Sequence, residues 1–405
     1  MSVAIEFKSV DILFPPRDRR DGRKALRDAL ALLDAGRTRA EIAEKLAVIV
    51  GVAGASLAVD RGDISVLMGL SGSGKSTLLR AANGLNRVAR GAVLVHEPDG
   101  AAIDVASCDS TALRRLRRER IAMVFQQFGL LPWRSVRDNV GFGLELRGES
   151  AAARRRVVDE KLELVGLTQW ADRHVAELSG GMQQRVGLAR AFATDADVLL
   201  MDEPFSALDP LIRGKLQDEL LALQARVKKT ILFVSHDMDD ALRLGDRITI
   251  LEGGRIVQTG TAEDIVLAPA NEYVAEFVRH MNPLDVLTGS MIMRERGVLS
   301  ASDGALRLDA GGRYALVVDA DGRPNEARVD GRPLPLAPVA ADRELPATIA
   351  GLALAPASLS LHDVIALRQR SGHPVVMIEG DRVAGVCGED EILTALAGAR
   401  GRRAV

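Results

Sequence analysis

Cysteine is almost missing from this sequence. Cys108 and Cys387 are the only two in 405 residues. They lie far apart and in no metal-like spacing, which argues against a disulfide scaffold and reads as two free thiols in a reducing compartment. Aromatic residues are also scarce, at 3% of the chain, so the core must be built from Leu, Val, Ile and Ala. No stretch reaches the roughly 18 consecutive apolar residues of a membrane-spanning helix. The start, Met1 to Phe7, lacks the basic and apolar regions of a secretory signal. A cytoplasmic protein is expected. A strong charge of one sign is missing too. The net charge of −2 gives no global reason to expect nucleic acid as a partner. What is present, 47% hydrophobic and 27% charged residues, suits a folded chain. Its length allows two or three domains of about 150 residues each.

One segment carries explicit chemistry. Gly69-Leu70-Ser71-Gly72-Ser73-Gly74-Lys75-Ser76-Thr77 fits a glycine, four residues, then glycine, lysine and a hydroxyl residue. The apolar run Ile64 to Met68 precedes it and reads as a buried strand, and a helical stretch from Ser76 to Asn83 follows. Glycines lacking Cβ let backbone N–H groups close around phosphate oxygens. The helix N-terminus then faces the same anion with unpaired N–H groups and its positive dipole end. Lys75 is expected at the β- and γ-phosphates, and the Ser76 hydroxyl on Mg²⁺. An ordinary strand-to-helix turn would not need lysine and serine in this register.

The rest of the chain alternates strands and helices. Residues 1–14 read as a strand, and residues 15–47 as an insertion. The insertion opens on Pro15-Pro16 and the charged patch Arg17 to Asp21, then turns helical. Strand character resumes at 52–68, with a turn at Asp60-Arg61-Gly62-Asp63. The basic run Leu113 to Arg120 lies on a helical pattern without aromatics and reads as a solvated face, not a nucleic-acid site. Strands are expected at 121–125, 198–201, 231–235 and 247–251, with helices between them, including 127–180. This alternation predicts a parallel sheet in an α/β domain. Composition shifts after about residue 285. Within the second part, 356–397 reads as helix, strand, turn, strand and helix, and Arg400 to Val405 as a frayed tail.

Further motifs narrow the function. Val198 to Pro204 is an apolar strand ending in Asp202-Glu203-Pro204. On a parallel sheet, the C-terminal strand end opens on the ligand crevice. Asp202 is then placed for Mg²⁺ and Glu203 for the attacking water. Leu178-Ser179-Gly180-Gly181-Met182-Gln183-Gln184-Arg185 opens a second anion-facing helix. With these residues the chain resembles the ATP-binding cassette ATPases, whose signature motif this is. Phe125-Gln126 resembles their glutamine loop, Val234-Ser235-His236-Asp237 their switch histidine, and Ser206-Ala207-Leu208-Asp209 the loop after their catalytic glutamate. The resemblance spans roughly residues 1–280. It implies a cassette fold, a phosphate-loop core with a helical signature subdomain, over 1–284.

The resemblance also implies roles. Two copies pair head to tail around two ATP molecules. Gly69, Ser71, Gly72, Ser73, Gly74, Lys75, Ser76 and Thr77 of one copy cradle each ATP. Ser179, Gly180, Gly181 and Gln183 of the other close over its γ-phosphate, with Asp209 nearby. Glu203 is the expected general base, and His236 holds the γ-phosphate and water. Ser76, Gln126 and Asp202 serve the metal, and Gln126 reports on the transport partner. Phe14 is the candidate for stacking on adenine, against a competing reading as a core residue.

The insertion and the patterns Met68 to Ser76 and Leu130 to Val140 resemble bacterial importers of glycine betaine, proline betaine and choline, in particular the choline branch. That implies an ATPase at the cytoplasmic face of the inner membrane, with a separate permease and an extracytoplasmic binding protein. The alternatives are an importer of another solute, and a cassette ATPase acting on DNA or ribosomes. The latter usually carries two cassettes or a long coiled coil, and this chain has neither. A non-hydrolysing regulator is disfavoured by the presence of both Glu203 and His236. Residues 285–405 resemble a small α+β, cystathionine-β-synthase-type module with a degenerate first half, for regulation or dimerisation.

Overall fold

The structure is a computed structural model, and it describes residues 2–16, 22–97, 100–206, 208–279, 284, 287–302, 304–340 and 345–398. The charged patch 17–21, Ala207 and the tail 400–405 fall outside those residues. The chain forms two compact units, Met1–Ala262 and Glu263–Val405. The division thus falls before the expected 284/285.

The first unit holds two sheets. Strands β1 (Val3–Phe14), β2 (Ile49–Asp60), β4 (Arg90–His96) and β5 (Ala102–Asp104) form an antiparallel sheet in the order β2-β1-β4-β5. The other has the order β10-β9-β3-β8-β7-β6. Its strands are β3 (Ile64–Met68), β6 (Ile121–Val124), β7 (Val198–Asp202), β8 (Thr230–Val234), β9 (Arg247–Glu252) and β10 (Arg255–Gly260). Five of these run parallel, and β10 closes the edge antiparallel. Strands β3, β7 and β8 are buried at every position, as central parallel strands with both faces covered must be. The expected turn at 60–63 exists, but the strands it joins belong to different sheets.

Helix α3 (Lys75–Ala81) starts one residue before the expected Ser76. Its Leu78 and Leu79 share one core with Ile5, Phe7 and Val93 of the antiparallel sheet and Leu67, Leu200 and Leu232 of the parallel sheet. Fully burying each such side chain contributes about 1.5–3 kcal/mol. The phosphate-loop helix is thereby clamped between both sheets. A separate core of Val136, Val140, Val158, Leu162, Val186 and Ala189 holds the helical region together. Its main helices are α7 (Ala151–Leu164) and α8 (Gly180–Ala193).

The insertion forms α1 (Gly22–Asp34) and α2 (Arg39–Leu46). Thr38 and Glu41 make a reciprocal capping box at the start of α2. Ala25, Ala29, Leu33 and Ile42 pack on Leu13, Val48 and Val50. The basic helix α4 (Ser110–Glu119) keeps several arginines engaged within the protein. Arg115 pairs with Glu97 at 2.9 Å and Arg117 donates to the Asn83 carbonyl at 2.7 Å.

In the second unit, helix 361–371, strand 375–379, strand 382–387 and helix 389–398 match the expected order, and a strand at 352–356 that the sequence reading did not include precedes them. Residues 301–334 form an antiparallel meander of five strands. The weak first half is therefore built without the helix that a second copy of the 352–398 pattern would contain.

Candidate nucleotide site

The phosphate loop is shaped by glycine where no other residue fits. Gly69 has φ +140°, and a Cβ there would sit 2.1 Å from the Leu251 carbonyl oxygen. At Gly74, with φ +103°, it would sit 2.5 Å from the Gly51 oxygen. Both clashes are with backbone, which cannot yield cheaply. Gly74 is also the N-cap of α3 and supplies no side-chain cap. The first-turn N–H groups therefore remain available to an anion. Ser73 is buried, and its Oγ has no hydrogen-bond partner, while Ser71 and Gly72 are exposed.

Lys75 is 6% exposed and donates to the carbonyls of Gly69 at 2.7 Å and Leu70 at 3.0 Å. Burial lowers its pKa, against the opposing pull of Glu203 and Asp202. A desolvated ammonium held beside an open cradle is a strong anion ligand.

Asp202 ends β7 fully buried. Ser76 Oγ donates to its Oδ1 at 2.7 Å, and Arg80 reaches its Oδ2 through Nε at 2.9 Å and Nη2 at 2.7 Å. Ser76 and Asp202 are hard oxygen donors side by side, the chemistry that suits Mg²⁺. Among the described residues, no group of three or more His, Cys, Asp or Glu is arranged to hold a metal. Two protein oxygens completed by phosphate and water is how Mg²⁺ is commonly bound. The donor set fits that ion.

Glu203 follows with φ +51°, an uncommon and costly conformation for a residue with a long side chain. Its backbone is pinned on both sides. The N–H donates to the Val234 carbonyl at 3.1 Å, and the carbonyl accepts from Gln184 Nε2 at 3.3 Å and Ser206 Oγ at 3.1 Å. The carboxylate Oε2 then accepts from Gln126 Nε2 at 3.0 Å and lies 3.5 Å from His236 Nδ1. Gln126, Glu203 and His236 converge from three loops at strand ends. The imidazole is 60% exposed and Glu203 19%.

Ser179 caps α8, its Oγ accepting from the Met182 N–H at 3.4 Å. Gly180 and Gly181 form the first turn. Gln183 turns inward, donating to the carbonyls of Val175 and Leu178 at 3.1 Å each. Asp209 caps α9 (Pro210–Val227) by accepting from Ile212 N–H at 3.0 Å. Phe14 is 37% exposed at the end of β1. A Cβ on Gly51 would lie 2.9 Å from both Phe14 Cε2 and Thr77 Cγ2. The ring therefore sits over a bare glycine, next to the last residue of the phosphate loop.

Sequence reasoning missed Arg80 and Gln184. Arg80 stands four residues after Ser76, one turn along the same helix face, so helical periodicity around the lysine held the missing signal. Gln184 sits within the signature segment.

The family model described as ABC transporter matches residues 52–206. The glycine betaine/proline betaine transport system ATP-binding protein ProV of Escherichia coli K12 is 46% identical over 294 residues, 73% of this chain and 70% of that protein. The trimethylamine N-oxide transport system ATP-binding protein TmoW of Ruegeria pomeroyi is 49% identical over 247 residues, 61% of this chain and 71% of that protein. The dimeric structure of a post-hydrolysis state of the ATP-binding cassette MJ0796, bound to ADP and Pi, is 28% identical with a TM-score of 0.53. It covers 64% of this chain and 98% of that chain. A phosphate loop, paired carboxylates at a strand end and a capped signature helix, in a chain this similar to such proteins over most of their length, lead to one assignment: this protein belongs to the ATP-binding subunits of ABC transporters.

Proposed function

We propose that this protein hydrolyses ATP to drive uptake of a betaine-type quaternary amine through a separate permease. The convergence of Gln126 and His236 on the Glu203 carboxylate supports the hydrolytic reading. The phosphate loop binds the nucleotide, and Lys75 neutralises its terminal phosphates. Ser76 Oγ and Asp202 would hold Mg²⁺, which supplies positive charge to the phosphate oxygens. Glu203 takes the proton of the attacking water, and His236 holds that water and the γ-phosphate in line. Gln126 tethers the base through Nε2.

Two copies act together. Ser179, Gly180 and Gly181 stand on a helix N-terminus that can meet a second copy's nucleotide. The dimeric cassette among the similar structures supports this assembly. Among the described residues no helix is long and apolar enough to cross a membrane, and the transport pathway in this reading is a separate permease. The protein is peripheral to the cytoplasmic face, with an extracytoplasmic binding protein acting beyond the permease.

The names of the relatives support a betaine or trimethylamine N-oxide as cargo, and choline shares with these compounds a methylated, formally positive nitrogen. Uptake of labelled glycine betaine, choline and trimethylamine N-oxide by a strain lacking this chain tests the reading. High-affinity uptake of at least one should be lost. Unchanged uptake of all three overturns the cargo and leaves the hydrolysis intact. The second unit acts as a regulatory or dimerisation module, and its removal should change how transport depends on salt or adenine nucleotide.

A further inference from the structure

The switch segment Ser235-His236-Asp237 rests on a buried carboxylate for which the hydrolytic scheme has no use. Asp240 lies in the first turn of α10 (Met238–Leu244) and is 4% exposed. Its Oδ2 accepts from Ser235 Oγ at 2.8 Å. Its Oδ1 accepts from Arg213 Nε at 2.8 Å and Gln217 Nε2 at 2.5 Å. Arg213 Nη2 contacts the same Oδ1 and also reaches Asp237 Oδ2 at 2.6 Å. Ser235 Oγ in turn accepts the Asp237 N–H at 3.0 Å. One buried charge thus holds both ends of the three-residue turn that carries His236.

The imidazole itself is 60% exposed, so its aim is set by its backbone and not by packing. The Ser235 N–H bonds to the Leu67 carbonyl at 3.2 Å, on the strand leading into the phosphate loop. Arg213 and Gln217 stand one turn apart on α9, the helix capped by Asp209. Hydrogen bonds to an ionised, desolvated carboxylate are short and strong, and removing that charge weakens all of them together.

We infer that Asp240 is the positioning residue of His236, fixing the turn that aims the imidazole at Glu203 and tying it through Arg213 to the helix behind Asp209. The inference rests on the proposed role of His236 in hydrolysis. Its test is Asp240→Asn, which keeps the size but replaces one acceptor oxygen with a donor, so Ser235 loses its acceptor. No residue of this hub belongs to the phosphate loop, so KM for ATP should stay within about twofold. The kcat should fall at least about tenfold, since an ångström of misplacement can cost about a hundredfold. In a His236→Ala background the same substitution should cost less than about twofold, because residues acting as one unit do not add. That non-additivity separates positioning from general destabilisation. Ser235→Ala removes the same bond while leaving the Asp240 carboxylate and its Arg213 and Gln217 partners in place, serves if Asp240→Asn does not fold, and should give the same kcat loss. A wild-type kcat in the variant tested, or an equal loss in both backgrounds, overturns the inference. An impaired His236→Ala beside an unimpaired Asp240→Asn overturns the inference alone. A wild-type kcat in His236→Ala overturns the reading of the site and the inference with it.

Discussion

Ser76 and Arg80, one turn apart on α3, hold the two oxygens of the buried Asp202 carboxylate between them. Ser76 Oγ donates to Oδ1 at 2.7 Å and Arg80 Nη2 to Oδ2 at 2.7 Å. The helix that follows the phosphate loop therefore also fixes the first of the paired carboxylates, 126 residues away in sequence.

Removing Arg80 tests that relationship. Arg80→Met leaves a fully buried carboxylate without the Nε and Nη2 donors of the guanidinium. The cost to stability should be about 1–3 kcal/mol, measured by denaturant unfolding. Mg²⁺ with a non-hydrolysable ATP analogue should stabilise the variant more than the wild type, because it brings compensating charge to the same carboxylate. Equal stability of the two unliganded proteins would contradict the arrangement.

Glu203→Gln keeps the shape of the side chain and removes its basicity. Hydrolysis should fall by about 10²–10⁴, while nucleotide binding persists and the dimer accumulates on gel filtration with ATP. Near-normal turnover by the purified variant would sink the assignment of the base.

Lys75 provides a pH signature. Burial holds its pKa below the ordinary 10.5. The folded protein therefore gives up this proton before the unfolded chain does. Between the two pKa values the unfolded state binds more protons, so this group's contribution to stability rises with pH. Nucleotide binding runs the other way, since the phosphates need the ammonium. Affinity should fall with pH below the ordinary lysine range, measured with a fluorescent nucleotide from about pH 7 to 10. A flat profile would show that Lys75 keeps its charge throughout.

Composite sites can be tested by mixing defective subunits. Lys75→Ala and Ser179→Arg each damage every site of a homodimer. A mixed dimer has one site carrying both defects and one carrying neither. Mixing should restore part of the hydrolysis. Full activity of Ser179→Arg alone would refute sharing of sites between copies.

Phe14 is open to a direct measurement. Aromatic stacking contributes about 0.5–1.5 kcal/mol, so Phe14→Ala should weaken ATP binding by about two- to tenfold. Phe14→Tyr should retain it. Wild-type affinity in Phe14→Ala would assign the ring to the strand end alone.

What the sequence determined by itself was everything written in contiguous residues. The glycine pattern around Lys75 demands a strand, a tight loop and a helix, because only glycine tolerates the φ of +140° and +103° found at Gly69 and Gly74. Asp202-Glu203 after an apolar run marks a strand end, and Ser179 before two glycines marks a helix start. The alternation of strands and helices made the parallel sheet legible, as it did the closing helix-strand-strand-helix order from 361 to 398. The tertiary structure alone decided which distant groups meet. Nothing in the spacing of Arg213 and Asp240 announces that they pair, because that contact comes from α9 lying beside α10, whereas Arg80 shared the helix face of Ser76 and only the packing of α3 between two sheets brought both to Asp202. The fate of Phe14 depended on a bare Gly51 lying beneath it, and the meander at 301–334 on hairpin pairing in a segment of weak periodicity. Local conformation is dictated by covalent geometry and propensity over a few residues. Which charge lies beside which carboxylate is dictated by the buried core that brings them together.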